Sequence, residues 1–157
     1  MLVRTVRVRG VGRLPRMTSR THTVLVYSDS AARRDAVRTA VGRRPAQDLG
    51  RVEYVEAADL RALLAAVDEG GIDVLVLDGE ARPAGGFGIA KQLKDELQDC
   101  PPTLVLVARP GDAWLASWSL ADAVQPLPID APALCEAVVG LVRHREAALP
   151  VRRAAAV

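Results

Sequence analysis

The sequence predicts an α/β fold, a doubly wound sheet of five parallel strands in which a helix follows each strand. Two observations predict it. Five short, mostly apolar runs alternate with segments whose apolar residues recur at helical spacing. Strands buried on both faces read as such apolar runs, and the alternating order places helices on both faces of a parallel sheet. With 157 residues, half of them hydrophobic, the chain is long enough for one such domain.

The first half of the chain contains two strand-helix units. Ser30 and Asp59 can cap the helices, because a side-chain oxygen at that position accepts an N–H group left free in the first turn. Gly42 and the Gly70–Gly71 pair are expected to end the same two helices. The predicted elements are strands at 23–27 and 51–55 and helices at 31–41 and 60–69.

The second half repeats the strand-helix pattern three times. Asp130 can cap the last helix, and Pro132 falls in its first turn, where proline is tolerated. A Gly- and Pro-rich loop is expected over 79–88, with its GGFG segment flexible. The predicted strands are 72–77, 103–107 and 123–125, and the helices are marked by Ile89, Leu93 and Leu97, by Trp114, Leu115 and Trp118, and by Leu134, Val138, Leu141 and Val142.

Charge divides the chain into a basic arm, 1–21, a folded domain, 22–145, and a C-terminal tail, 146–157. The arm has six arginines and no acidic residue, whereas the rest of the chain has 15 basic residues against 19 acidic ones. We expect such an arm to bind phosphates, anionic lipid or an acidic protein face. The alternatives are a solvated extension, or a true start of translation at Met17. The arm arginines are Arg4, Arg7, Arg9, Arg13, Arg16 and Arg20.

Several classes of protein do not fit the sequence. Cys100 and Cys135 have neither CxxC nor metal-ligand spacing, so reduced thiols are expected. No apolar run approaches the roughly 20 residues of a transmembrane helix, and the alternating Arg and Val of the N-terminus do not form a signal peptide. His22 and His144 are expected at the surface, away from any hydrolytic triad. The GGFG segment lacks the GK[ST] of a phosphate-binding loop.

Two acidic residues stand where an α/β sheet places its functional groups. Asp29 follows the first predicted strand and Asp78 follows the third. Because functional residues of such folds sit at the carboxyl ends of the strands, these carboxylates could converge and hold Mg²⁺. The alternative is that both are polar residues at exposed strand ends, where they cap loop N–H groups.

Four stretches resemble the receiver domain of bacterial response regulators. They are VLVYSDS (24–30), IDVLVLDGEARPAGGFG (72–88), TLVLVARPGDAW (103–114) and LPIDAPAL (127–134), and the resemblance covers about residues 22–145. It implies a flavodoxin-like fold. In that family an acid pair after the first strand and an aspartate after the third bind Mg²⁺, and the aspartate accepts a phosphoryl group. A Ser or Thr after the fourth strand and a Lys after the fifth hold the phosphoryl oxygens.

The family's functional positions are only partly retained. The acceptor position is Asp78, but the acid pair becomes Ser28 and Asp29, the hydroxyl position becomes Ala108, and the lysine position becomes Leu127. The signalling aromatic of the fifth strand becomes Val124. Removal of one preorganised electrostatic group commonly slows a reaction by roughly 10²–10³. We therefore expect Asp78 to be inactive as an acceptor, with weak Mg²⁺ binding at most and no cofactor.

Trp114 and Trp118 are candidate interface residues. They are four residues apart and therefore share one face of a helix, and tryptophan is enriched at interface hot spots. The alternative is that one of them packs into a core poor in aromatic residues. Residues 146–157 are too few for a DNA-binding domain, so sequence-specific DNA binding is not expected.

The lone receiver with a degraded site, an Arg-rich arm and high-GC composition resembles the orphan receivers encoded beside the type I NADH dehydrogenase operon of high-GC Gram-positive bacteria. This resemblance implies a non-enzymatic accessory or regulatory subunit of respiratory complex I, on the cytoplasmic side of the plasma membrane. The arm would then contact a neighbouring subunit or anionic head groups. The alternatives are a phosphorylatable single-domain response regulator and a small flavodoxin-like nucleotide-binding protein or enzyme.

Overall fold

The computed structural model describes residues 20–148, so the predictions for Arg4, Arg7, Arg9, Arg13, Arg16 and Met17 lie outside the described residues. Five strands form one sheet in the order β2-β1-β3-β4-β5, and every neighbouring pair is parallel. This confirms the predicted fold class. The elements are β1 His22–Tyr27, α1 Ala31–Val41, β2 Val52–Ala57, α2 Leu60–Glu69, β3 Val74–Asp78, α3 Gly86–Glu96, β4 Thr103–Val107, a 3₁₀ turn Pro110–Ala113, α4 Trp114–Ser119, β5 Ala123–Pro126 and α5 Ala131–Ala148.

The core lies in two layers, one on each face of the sheet. Helices α1 and α5 cover one layer, in which Val37 and Val138 pack over Val24 and Val76. Helices α2, α3 and α4 cover the other, around Leu63 and neighbouring side chains. Strands β3 and β4 are buried along their whole length, which explains why they read as unbroken apolar runs. Among residues 20–148 no helix is both long and apolar enough to cross a bilayer.

Local capping interactions set the starts of three helices as predicted. The side chains of Ser30, Asp59 and Asp130 accept hydrogen bonds from N–H groups in the first turns of α1, α2 and α5, at 3.2, 2.8 and 3.2 Å. At the other end, Gly42 and Gly70 have φ of 72° and 78°, a left-handed conformation that glycine adopts without steric cost. Because each helix follows the carboxyl end of a parallel strand, the N-termini of the helices lie at the carboxyl edge of the sheet.

The expectations for His22 and for the GGFG segment are wrong. His22 is 1% exposed, because it is the first residue of β1 and the last turn of α5 covers it, with Glu146 Oε1 3.3 Å from its Nε2. His144 is exposed as expected. The GGFG segment is not a loop, because α3 begins at Gly86. A Cβ at Gly86 would lie 2.9 Å from the Cβ of Leu77, so glycine lets α3 start directly against β3.

Candidate functional site

The predicted acceptor, Asp78, is the last residue of β3 and is 2% exposed. The residue that follows β1, Ser28, is fully buried beside it, because β1 and β3 are neighbours in register with Tyr27 opposite Leu77. Ser28 Oγ donates a hydrogen bond to Asp78 Oδ2 at 2.7 Å. The hydroxyl that replaces the family's first carboxylate therefore holds the carboxylate that remains. The expectation of an exposed strand end is wrong for Asp78.

Two further donors complete the contacts of this carboxylate. The backbone N–H of Glu80 donates to Asp78 Oδ1 at 2.9 Å. Arg33, in the first turn of α1, places its Nη1 3.4 Å from Oδ1 and 3.5 Å from Oδ2. A buried carboxylate is stable when it is paired with a cation and hydrogen-bonded, and Asp78 has both kinds of partner. Its negative charge is compensated from within the chain.

Asp29, the second predicted Mg²⁺ ligand, does not share this environment. Its side chain is exposed and makes no hydrogen bond to the Asp78 group in the described part of the chain. Within residues 20–148 no three His, Cys, Asp or Glu side chains are grouped as a metal site. Magnesium requires several oxygen ligands in an octahedron, whereas the Asp78 oxygens already accept from a hydroxyl, an N–H and a guanidinium. The residues present therefore do not fit the Mg²⁺ site of the family.

The ends of β4 and β5 supply none of the family's phosphoryl-binding groups. Ala108 is exposed, and its backbone N–H donates to Glu80 Oε1 at 3.4 Å, which links the loops after β3 and β4. Leu127 packs against the core layer of α1 and α5, next to a cis Leu127–Pro128 peptide bond. A side chain that packs into this core brings no cation to the pocket. The cation near Asp78 comes from Arg33 of α1 instead.

Sequence reasoning missed Arg33, Glu80 and Tyr27. Tyr27 is 1% exposed and donates its hydroxyl to Ala84 O at 2.5 Å, which fixes the loop between β3 and α3. Burial raises the pKa of Tyr27, and the nearby charges of Asp29, Asp78 and Asp59 raise it further. A signal for Arg33 was present, because it stands three residues after the cap Ser30, and a first-turn side chain can reach the strand ends.

The tryptophans of α4 are strongly exposed. Trp114 is 65% exposed and Trp118 is 49% exposed, so neither is a buried core residue. Leu120, which ends α4 with φ of 60°, is 54% exposed and was not singled out from the sequence. We call these three residues the α4 patch. Val124 of β5 is half-buried and packs into the core layer of α2, α3 and α4. The α4 patch thus exposes three large apolar side chains at the surface.

Comparisons with known proteins bear on the family and the fold of this chain. No family model matches the sequence. An uncharacterized response regulatory protein in two strains of Mycobacterium tuberculosis is 52% identical over 120 residues, which is 76% of this chain and 90% of the relative.

Solved structures extend the likeness to the fold. The receiver domain of a Francisella response regulator gives a TM-score of 0.67 at 19% identity, over 78% of this chain and 98% of that chain. A chemotaxis response regulator of Vibrio cholerae gives a TM-score of 0.65 at 24% identity, over 78% of this chain and 99% of that chain. At such identities the likeness is one of fold.

Proposed function

The chain belongs to the response regulator receiver family, and we propose that it acts in this family as a non-catalytic pseudo-receiver, which binds a protein partner instead of accepting a phosphoryl group. The proposal rests on the contacts that the Asp78 carboxylate makes within the chain. Its carboxylate is held by Ser28, by the Glu80 N–H and by Arg33, so all three partners belong to the chain itself.

The chemistry of phosphoryl transfer supports this proposal. Catalysis of this reaction depends almost entirely on positioning and on neutralising the charge of the transferred group. The chain has Ala108 and Leu127 where the family has a hydroxyl and a cation, and Ser28 in place of a carboxylate. Each such loss commonly costs roughly 10²–10³ in rate. Attack by Asp78 would also require its oxygens to leave their present hydrogen bonds.

The partner in this proposal is respiratory complex I, the proton-pumping NADH dehydrogenase, on the cytoplasmic side of the membrane. The resemblance to orphan receivers encoded beside its operon is what suggests this enzyme. The α4 patch supplies the contact surface, because two of its three side chains are exposed tryptophans and tryptophan is enriched among interface hot spots. Leu120 and the half-buried Val124 extend the same side of the domain.

A phosphorylatable response regulator is the second candidate, and one observation favours it. Asp78 stands at the end of β3 with its carboxylate in place, and the Arg33 contact is long, at 3.4 Å. A long ion pair with a partly exposed arginine could open to admit a phosphodonor.

Intact mass after incubation with acetyl phosphate and Mg²⁺ separates the two candidates. We expect no adduct on the full chain. A stoichiometric adduct that disappears in Asp78→Asn would sink the pseudo-receiver proposal. The triple variant Ser28→Asp, Ala108→Thr and Leu127→Lys tests the physical reason, because restoring the missing groups should raise adduct formation at least about tenfold.

Affinity purification from native membranes tests the partner. Complex I subunits should be recovered with the full chain and lost with Trp114→Ala combined with Trp118→Ala. The matched control is Gln47→Ala with Gln98→Ala, which changes two exposed side chains elsewhere and should leave recovery unchanged. Recovery of a sensor kinase alone, or equal recovery with both double variants, would refute docking through the α4 patch.

A further inference from the structure

A cluster of exposed arginines lies at the end of the sheet opposite Asp78. Arg43 and Arg44 follow α1, and Arg51 precedes β2. Backbone hydrogen bonds hold these segments together, since the Val52 N–H donates to Arg43 O and the His22 N–H donates to Arg51 O, both at 2.8 Å. We call Arg43, Arg44 and Arg51 the amino-edge arginines.

The charges of the amino-edge arginines are not compensated locally. Within residues 20–148 none of the three has a carboxylate oxygen within 4.0 Å. Two acids on this side already have arginine partners, since Asp48 is bound by Arg143, whose guanidinium holds the pKa of that carboxyl below its ordinary value, and Asp35 is bound by Arg38. Glu53 is the exposed acid that remains on this side. Arg43 and Arg44 in the loop after α1, and Arg51 before β2, are therefore available to bind an external anion.

A shallow groove runs between α1 and β2 beside these residues. It has a volume of about 550 Å³, and its lining includes Arg38, Arg43 and Arg51, the acids Asp35 and Glu53, and Thr39 and Tyr54. Arg38 pairs with Asp35 and Glu56, so among residues 20–148 the lining cations without an acidic partner are Arg43 and Arg51. The guanidinium groups and the Thr39 hydroxyl are suitable donors to phosphate oxygens, whereas the Tyr54 hydroxyl already donates to Gly42 O. The groove is wide enough for a phosphate-bearing head group and is polar, so it is not suited to an apolar ligand.

The arm joins the folded domain at this same corner. The backbone of Arg20 passes so close to Gly50 that a Cβ there would lie 1.7 Å from Arg20 O. Arg20, the first described residue, therefore contacts the residue that precedes Arg51. In the sequence, residues 1–19 contain five further arginines and no acidic residue. Exposed charges reinforce one another only within a Debye length of about 8 Å, so it matters that these arginines share one corner.

We propose that the amino-edge arginines and the groove form a binding surface for anionic phospholipid, with head-group phosphates as the ligands. Arginine favours this ligand because its planar fork donates two parallel hydrogen bonds to phosphate oxygens. A protein partner fits less well. The buried core of a protein interface is more apolar than the rest of the surface, and the exposed large hydrophobic side chains of residues 20–148 are the three of the α4 patch, outside this corner.

Protein-free vesicles test this surface without reference to complex I or to phosphorylation. The full chain should co-sediment with vesicles that contain phosphatidylglycerol, should be released by salt, and should not bind phosphatidylcholine alone. The triple variant Arg43→Gln, Arg44→Gln and Arg51→Gln should bind at least about tenfold more weakly. The matched control is Arg61→Gln, Arg82→Gln and Arg109→Gln, which removes three exposed arginines from the carboxyl edge and should change binding by less than about twofold.

Three outcomes would overturn the proposal. Equal weakening by the two triple variants would show that only the net charge matters. Failure of the full chain to bind phosphatidylglycerol vesicles while it binds polyglutamate would assign the corner to an acidic protein. Release from the vesicles by millimolar inorganic phosphate at constant ionic strength would identify a site for free phosphate. An adduct on Asp78 would refute the pseudo-receiver proposal but leave the lipid surface standing.

Discussion

The two ends of the sheet carry charge in different ways. At the carboxyl end, Asp78 is 2% exposed and its carboxylate is bound by a hydroxyl, an N–H and a guanidinium from the same chain. At the amino end, Arg43, Arg44 and Arg51 are exposed and have no acidic partner within residues 20–148. A buried charge such as Asp78 depends on its partners, so the loss of one partner destabilises the fold. An uncompensated, exposed charge contributes little to stability and is available to bind another molecule.

The largest effect is expected from Ser28→Ala, which removes the hydroxyl and adds no atom to the buried side chain. Asp78 loses its shortest hydrogen bond, and the Ser30 N–H loses its acceptor. A buried charged group that loses a partner bears its desolvation cost, so the free energy of unfolding should fall by about 3 kcal/mol. Urea denaturation measures this, with the exposed Ser117→Ala as the control. A loss no greater than that of Ser117→Ala would show that the pocket is not a stabilising element.

A smaller effect is expected from Arg33→Gln, which removes the cation beside Asp78. Loss of one partner of a fully buried pair costs about 3–5 kcal/mol. Because the Arg33 side chain is 32% exposed and the contact is 3.4 Å, we discount this to about 1–2 kcal/mol. Arg43→Gln is the matched control from the other end of the sheet, and should change the free energy of unfolding by less than about 0.5 kcal/mol. Equal losses in the free energy of unfolding from Arg33→Gln and Arg43→Gln would show that the two ends of the sheet do not differ in how their charges affect stability.

The smallest effect concerns pH and the two tyrosines, one at each end of the sheet. Burial raises the pKa of Tyr54 to about 12, and Tyr54 donates its hydroxyl to Gly42 O. A tyrosine whose pKa is raised in the folded state ionises more easily when the chain is unfolded, so its contribution to stability is intact below pH 10 and is lost as the pH rises towards 12. The denaturant concentration at the midpoint of unfolding should therefore fall between pH 10 and about 12, and it should fall less in Tyr54→Phe. An ultraviolet titration with both phenols ionising at the value of free tyrosine would contradict this.

Most of the secondary structure could be predicted because its causes are local. The caps Ser30, Asp59 and Asp130 and the terminating glycines act within a few residues of themselves, so the helix starts were correct. The third strand was placed two residues early, at Ile72 instead of Val74. An apolar run indicates burial, and Ile72 is buried although it precedes β3. The run therefore does not distinguish the strand from the buried residue before it.

The candidate site could be predicted only in part. The loss of the hydroxyl at Ala108 and of the lysine at Leu127 was visible in the sequence, because it depends on residue type at a known position. The contact between Arg33 and Asp78 was not visible. Arg33 and Asp78 are 45 residues apart, and they meet only because α1 packs with its first turn over the end of β3. The burial of His22 has the same origin, since Glu146 reaches it from the far end of the chain.

The sequence by itself determined the five strand-helix units, their caps, the retained Asp78 and the missing phosphoryl-binding groups, because periodicity and residue type are properties of short segments. Only the tertiary structure decided that the Asp78 carboxylate contacts Ser28 and Arg33, and that the α4 patch is exposed. It also decided that Arg43, Arg44 and Arg51 lie at one corner of the domain. These facts depend on which elements lie next to each other in the sheet, and the contacts that follow join residues far apart in the chain.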